Sequence, residues 1–151
     1  MRMNSAVIVF PGSNCDRDVF TVMQAEGLNP VYVWHDDAKL PDNISLVVLP
    51  GGFSYGDYLR CGAMAARSPI MQSVIEFANK GGHVLGICNG FQILCESGLL
   101  PGTLMRNDHL KFNCKETNLR VESCDSAFTG GYGQGQVITL PVAHAEAQSP
   151  F

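Results

Sequence analysis

The chain has 151 residues, enough for one sizeable core and too few for two full domains. An apolar fraction of 46% beside 16% charged residues excludes a disordered chain, which would be charge-rich and poor in apolar side chains, and points to buried strands. With 10 Lys and Arg against 14 Asp and Glu, a formal charge of −4 and no basic cluster, nucleic acid is not an expected partner, and the apolar runs are too short to make the membrane one.

Met1–Ser5 lacks the apolar run and small-residue cleavage site of a signal peptide, so the expected location is the cytoplasm. Ala6-Val7-Ile8-Val9-Phe10 reads as a strand buried on both faces, broken by Pro11-Gly12-Ser13-Asn14. Val19, Val22, Met23 and Glu26 follow helical spacing, with Gly27 as a helix stop. Val31–Trp34 reads as the second strand and Ser45–Leu49 as the third, ended by Pro50-Gly51-Gly52. Ser68-Pro69 starts a helix with a capping hydroxyl and a proline in its first position, and Ile70, Val74, Phe77 and Ala78 form its apolar stripe. Gly81-Gly82 ends it. His83–Ile87 is the fourth strand, and a helix over about Gly90–Ser97 follows, stopped by Gly98.

This alternation predicts one α/β domain over residues 1–151, with a mostly parallel sheet and helices on both faces. Ligands of such sheets bind beyond the carboxyl ends of the strands, where the glycine turns after the third and fourth strands fall. Gly130–Gly135 reads as a hairpin or surface loop without the spacing of a dinucleotide fingerprint. Six cysteines stand at 15, 61, 88, 95, 114 and 124, with no Cys-x-x-Cys pair, so zinc and thioredoxin-type readings lose their support and reduced thiols are expected. Cys95 falls in a helix core. Packing accounts for Cys15, Cys61, Cys114 and Cys124.

Cys88 is different. Gly86-Ile87-Cys88-Asn89-Gly90 places a nucleophile between a predicted strand and a predicted helix, so the elbow follows the fourth strand. A tight strand-to-helix turn crowds its own backbone, which demands small residues two positions either side of the nucleophile. The first amides of the following helix are unpaired and point into the same space, where they can hold an oxyanion and lower a thiol pKa. The Pro50–Asp57 turn is the second signal, because its glycines permit close ligand approach and its amides can supply another oxyanion donor.

Gly86-Ile87-Cys88-Asn89-Gly90-Phe91-Gln92 resembles the nucleophile motif of class I glutamine amidotransferases, and Pro50–Asp57 resembles that family's oxyanion turn. More narrowly, Phe10–Asp16, Gly51–Arg60, Leu100-Pro101-Gly102, Arg106-Asn107 and Leu110-Lys111-Phe112 resemble the glutaminase subunits of phosphoribosylformylglycinamidine synthases. The resemblance runs from the first strand to about His144. It implies a flavodoxin-like sheet and hydrolysis of the glutamine side-chain amide. The ammonia passes to a synthase partner that makes formylglycinamidine ribonucleotide in purine synthesis. Carried over, Cys88 is the nucleophile, amides near Gly52 and of Asn89 form the oxyanion hole, and Gln92 helps hold glutamine. No cofactor or metal is expected in this chain; ATP and Mg²⁺ belong to the synthase partner, and a small accessory subunit joins the assembly.

The departure lies at the C-terminal end. The family's catalytic His-x-Glu pair sits far downstream in a Pro-His-Pro-Glu-like segment, which is missing here. The family's Ala-His-Gly-Glu-Gly stretch appears as Ala143-His144-Ala145-Glu146-Ala147, and Gln148–Phe151 no longer follows the pattern, so the chain reads as C-terminally truncated. His144 and Glu146 are candidate active-site neighbours: the pair has the form of a base with its orienting carboxylate, while the resemblance makes this stretch an upstream segment near the active site and not the catalytic pair. His35 is expected in a solvated loop, His83 at a strand start and His109 in an exposed loop. Two alternatives remain: a non-catalytic binding or assembly module of the same complex, and a related cysteine hydrolase.

Overall fold

A computed structural model of the chain describes residues 3–102 and 104–148. They fall into two compact units, one carrying the chain up to Leu104 together with Gln148 and the other Met105–Ala147.

The first unit contains β1 (Asn4–Val9), α1 (Asp16–Ala25), β2 (Asn29–Trp34), β3 (Leu46–Leu49), α2 (Pro69–Asn79), β4 (His83–Gly86) and α3 (Asn89–Glu96). Its four strands are parallel in the order β2-β1-β3-β4. Strand side chains alternate between faces, so β1 and β3 feed two separate cores. On one face Ala6, Ile8, Val47 and Leu49 pack against Ile70, Met71 and Val74 of α2 and Ile93 and Leu94 of α3. On the other, Val7 and Val48 meet Val19, Phe20 and Met23 of α1. The register aligns these faces, with Ala6 opposite Val47 and Val7 opposite Val48. The crossover through α1 leads outward from β1 to β2, and that through α2 leads outward from β3 to β4 on the other side. Right-handed crossovers in opposite directions put the helices on opposite faces, as found.

Two local expectations change. Val22 is 61% exposed, and Phe20 takes its place on the inner side of α1, stacked on Tyr32 with centroids 4.4 Å apart. Ser68 stands at the start of α2, but its hydroxyl meets the Tyr55 phenol at 3.0 Å instead of capping the helix. Within this sheet β2 is an edge, so Val31, Tyr32 and Trp34 are exposed while Val33 is buried.

The second unit contains β6 (Asn113–Arg120) and β7 (Val137–His144), paired antiparallel from Asn113 opposite His144 to Arg120 opposite Val137. The Gly130–Gly135 stretch lies in the loop between them, as read from the sequence. β5 (Leu104–Arg106) pairs with β8 (Glu146–Gln148). Buried Asn107 ties these strands together: its Nδ2 donates to the carbonyls of Lys111 at 2.9 Å and His144 at 3.1 Å. None of the described helices is long and apolar enough to cross a membrane.

Candidate active site

The chain leaves β1 for β2 on one side while β3 lies on the other, so the carboxyl ends of β1 and β3 form the switch point where such sheets open a crevice. The turns after β1, β3 and β4 converge there. Cys88 is exposed and sits immediately before α3, with φ 53° and ψ −110°, a left-handed conformation that costs a non-glycine residue of order 1–3 kcal/mol. Its flanking glycines are required by contact. A β-carbon on Gly86 would stand 2.7 Å from the Gly90 carbonyl, and one on Gly90 would collide with the Leu49 carbonyl oxygen. The elbow is therefore packed directly onto the end of β3, where the Ile87 N–H also donates to the Leu49 carbonyl at 3.0 Å.

The Pro50–Asp57 turn lies against this elbow. A β-carbon on Gly51 would be 3.4 Å from Cys88 Cβ. Gly52 has φ +127°, and a side chain there would press on Asn14 Oδ1 at 2.5 Å and the Gly12 carbonyl oxygen at 2.8 Å. The Phe53 N–H is committed to the Gly12 carbonyl at 2.9 Å, and the Ser54 N–H to Asn89 Oδ1 at 3.2 Å. Among the described residues the Gly52 N–H has no backbone partner. Asn89 is the first residue of α3, where a helix leaves its N–H groups without internal acceptors. Two amide donors and a thiol thus border one crevice, an arrangement suited to acyl transfer. Among the described residues no group of three or more His, Cys, Asp or Glu could hold a metal ion.

The pattern of the CobB/CobQ-like glutamine amidotransferase domain matches residues 2–151. The chain belongs to this family. Two proteins named phosphoribosylformylglycinamidine synthase subunit PurQ, from Rhodopseudomonas palustris (strain BisB18) and Bradyrhizobium diazoefficiens, are 63% and 61% identical over 145 residues. The match covers 95% of this chain and 62% of each relative, so the chain spans under two thirds of their length. A solved structure, PurLQS from Thermotoga maritima, gives a TM-score of 0.89 at 46% identity, covering 99% of this chain and 71% of that one.

In this amidotransferase domain Gln92 is buried in the first turn of α3, and its Oε1 accepts from Asn89 Nδ2 at 3.0 Å. His144 and Glu146 lie in the second unit, at the end of β7 and the start of β8. Among the described residues the buried Nδ1 of His144 has no hydrogen-bond partner, so none of their carboxylates orients the ring from that side. His83 opens β4, at the opposite end of the strand from the elbow, and His109 is exposed. His35 corrects its expectation. It is half-buried, and its Nδ1 meets the Tyr55 phenol at 2.8 Å, bracing the oxyanion-type turn from outside.

Two further residues escaped the sequence reading. Cys15 borders the same crevice: a Gly51 β-carbon would be 3.7 Å from its Cβ. Burial, then the charges of Asp18, Cys88 and Asp16, push its thiol up. Asp57 accepts from Asn89 Nδ2 at 3.2 Å. Cys95 is buried in α3, as expected.

Proposed function

We propose that the chain is the nucleophile-bearing portion of a glutaminase subunit that supplies ammonia to a synthase making formylglycinamidine ribonucleotide in purine synthesis. The observation that carries this reading is Cys88 held at positive φ on a glycine-packed elbow, directly against a turn whose Gly52 N–H has no backbone acceptor among the described residues. The names of the relatives, subunits of a phosphoribosylformylglycinamidine synthase, support the assignment to a synthase assembly.

Cys88 Sγ, as thiolate, attacks the side-chain amide carbon of glutamine. The resulting oxyanion is held by the N–H groups of Gly52 and Asn89, and Gln92 helps orient the substrate. The C–N bond breaks, the nitrogen leaves as ammonia after gaining a proton, and a glutamyl thioester remains. Water then cleaves the thioester to glutamate and regenerates the thiol. ATP and Mg²⁺ act in the synthase partner, a small accessory subunit completes the assembly, and the setting is the cytoplasm.

A second reading, a docking module with little turnover, draws on one observation. Within the unit that holds Cys88, His35 is taken up by Tyr55 and His83 stands at the far end of β4, so neither serves as the base that deacylation needs. Treatment with a chloroketone analogue of glutamine, followed by peptide mapping, tests the glutamine site. Modification confined to Cys88 and blocked by glutamine supports it. Absence of modification, with Cys88 still open to iodoacetamide, leaves an elbow without a glutamine pocket. Co-purification with a synthase subunit in the absence of turnover would favour the docking module.

A further inference from the structure

The turn over the crevice is conformationally expensive. Tyr55, Gly56, Asp57 and Leu59 all have positive φ, at 53°, 68°, 54° and 72°, and three of the four carry side chains. Such a run persists only where its surroundings hold it. Main-chain bonds from the Phe53 N–H to the Gly12 carbonyl and from the Tyr55 N–H to the Pro11 carbonyl tie it to the turn after β1, and one side chain ties it to the start of α3. Asn89 is 1% exposed, its Oδ1 accepts from the Ser54 N–H, and its Nδ2 donates to Asp57 Oδ1 and Gln92 Oε1. Arg60 adds a second tie at the other end of α3, through a two-pronged bond to Glu96 at 2.9 and 2.7 Å.

Asn89 is also the residue that follows the nucleophile, and its own N–H is one of the two oxyanion donors proposed above. The other donor, Gly52, lies two residues before Ser54. A single buried amide side chain therefore spans the two donor-bearing segments. We propose that the Asn89 side chain, seated on the Asp57 carboxylate, is the positioning device that fixes the spacing of the oxyanion donors. The inference rests on the glutaminase reading and adds to it two positioning roles, the Asn89 amide group and Asp57. Both act through main-chain groups and neither is required to touch substrate.

The chemistry of the pair sets the test. In Asn89→Asp the acceptor for Ser54 survives, but a carboxylate now faces the Asp57 carboxylate. In Asp57→Asn the new amide oxygen still accepts from Asn89. In the double exchange, Asn89→Asp with Asp57→Asn, an amide again donates to a carboxylate with the roles swapped. The full chain is mixed with glutamine, and the rate of glutamyl-adduct formation on Cys88 is followed by mass spectrometry. Each rate is divided by that of Cys88 alkylation by iodoacetamide, which needs no oxyanion hole and corrects for thiol ionisation.

The expected result is a loss of about 30-fold or more in the normalised maximal rate for Asn89→Asp, given what misplacing an oxyanion donor costs. The half-saturating glutamine concentration stays within about threefold, because the donors act in the transition state. Asp57→Asn stays within about fivefold of wild type, and the double exchange recovers to within about fivefold as well. A normalised Asn89→Asp rate equal to wild type would overturn the inference. So would a double exchange as slow as Asn89→Asp alone, since that marks general damage instead of a matched pair. A wild-type chain that forms no adduct at any glutamine concentration would sink the glutaminase reading itself, a result distinct from either.

Discussion

Gly90→Ala is the sharpest perturbation of the elbow that leaves its chemistry untouched. The new methyl would collide with the Leu49 carbonyl oxygen and lie 2.6 Å from the carbonyl carbon and 2.9 Å from Leu49 Cβ. Two of these are main-chain atoms at the end of the buried strand β3 and the third is a Cβ fixed to that main chain, so no flexible tip can swing aside. Overpacking of this kind costs about 1–3 kcal/mol. The displaced carbonyl also accepts the Ile87 N–H at 3.0 Å, and losing that bond brings the total to about 3 kcal/mol. For a chain of this size that lowers the melting temperature by about 6–12 °C, read by circular dichroism. The matched control is Gly131→Ala, where an added β-carbon meets nothing within 4 Å and the melting temperature should hold. A Gly90→Ala variant melting within about 2 °C of wild type would refute the claim that elbow and strand end are in hard contact.

Cys88→Gly should abolish adduct formation yet raise stability by about 1 kcal/mol, because relief of the left-handed strain outweighs glycine's entropic cost; an unchanged or lower urea midpoint would contradict that. Tyr55→Phe removes the phenol from His35 and Ser68 and should cost about 1–2 kcal/mol in urea unfolding, while Tyr32→Phe at the exposed edge costs little. Burial, and secondarily Glu96, push the Cys95 thiol up from 9.0. The folded state therefore favours the protonated thiol: its contribution to stability is complete below about pH 9 and is lost as pH rises through the folded value. Stability measured from pH 8 upward should fall less steeply in Cys95→Ala, and an identical slope would remove this cause.

The elbow was legible because its signal is one five-residue motif. Gly86 is forced by the Gly90 carbonyl within the turn and Gly90 by the Leu49 carbonyl on the neighbouring strand, yet both glycines stand two positions from Cys88, and the flanking strand and helix are set by short-range apolar pattern. The two-faced burial of β1 was legible from its own continuous apolar run. What escaped depends on strand order. Cys15 meets the crevice because β1 and β4 lie on either side of β3, which no spacing along the chain reveals. Asp57 and His35 acquired roles from partners 32 and 20 residues away. The loop between β6 and β7 was legible, but the two strands were not, for a different reason. Asn113–Arg120 is mostly polar and mostly exposed, and Pro141 interrupts the partner strand, so no period-two apolar pattern announces either.

The central claim is that Cys88 attacks glutamine and carries its acyl group. Mass spectrometry of the chain after brief exposure to glutamine and acid quench measures this directly. The account predicts a glutamyl adduct that maps to Cys88, with one ammonia released per adduct, and none on Cys88→Ala or with asparagine in place of glutamine. An adduct that survives Cys88→Ala, or ammonia release with no adduct and no dependence on Cys88, would contradict it.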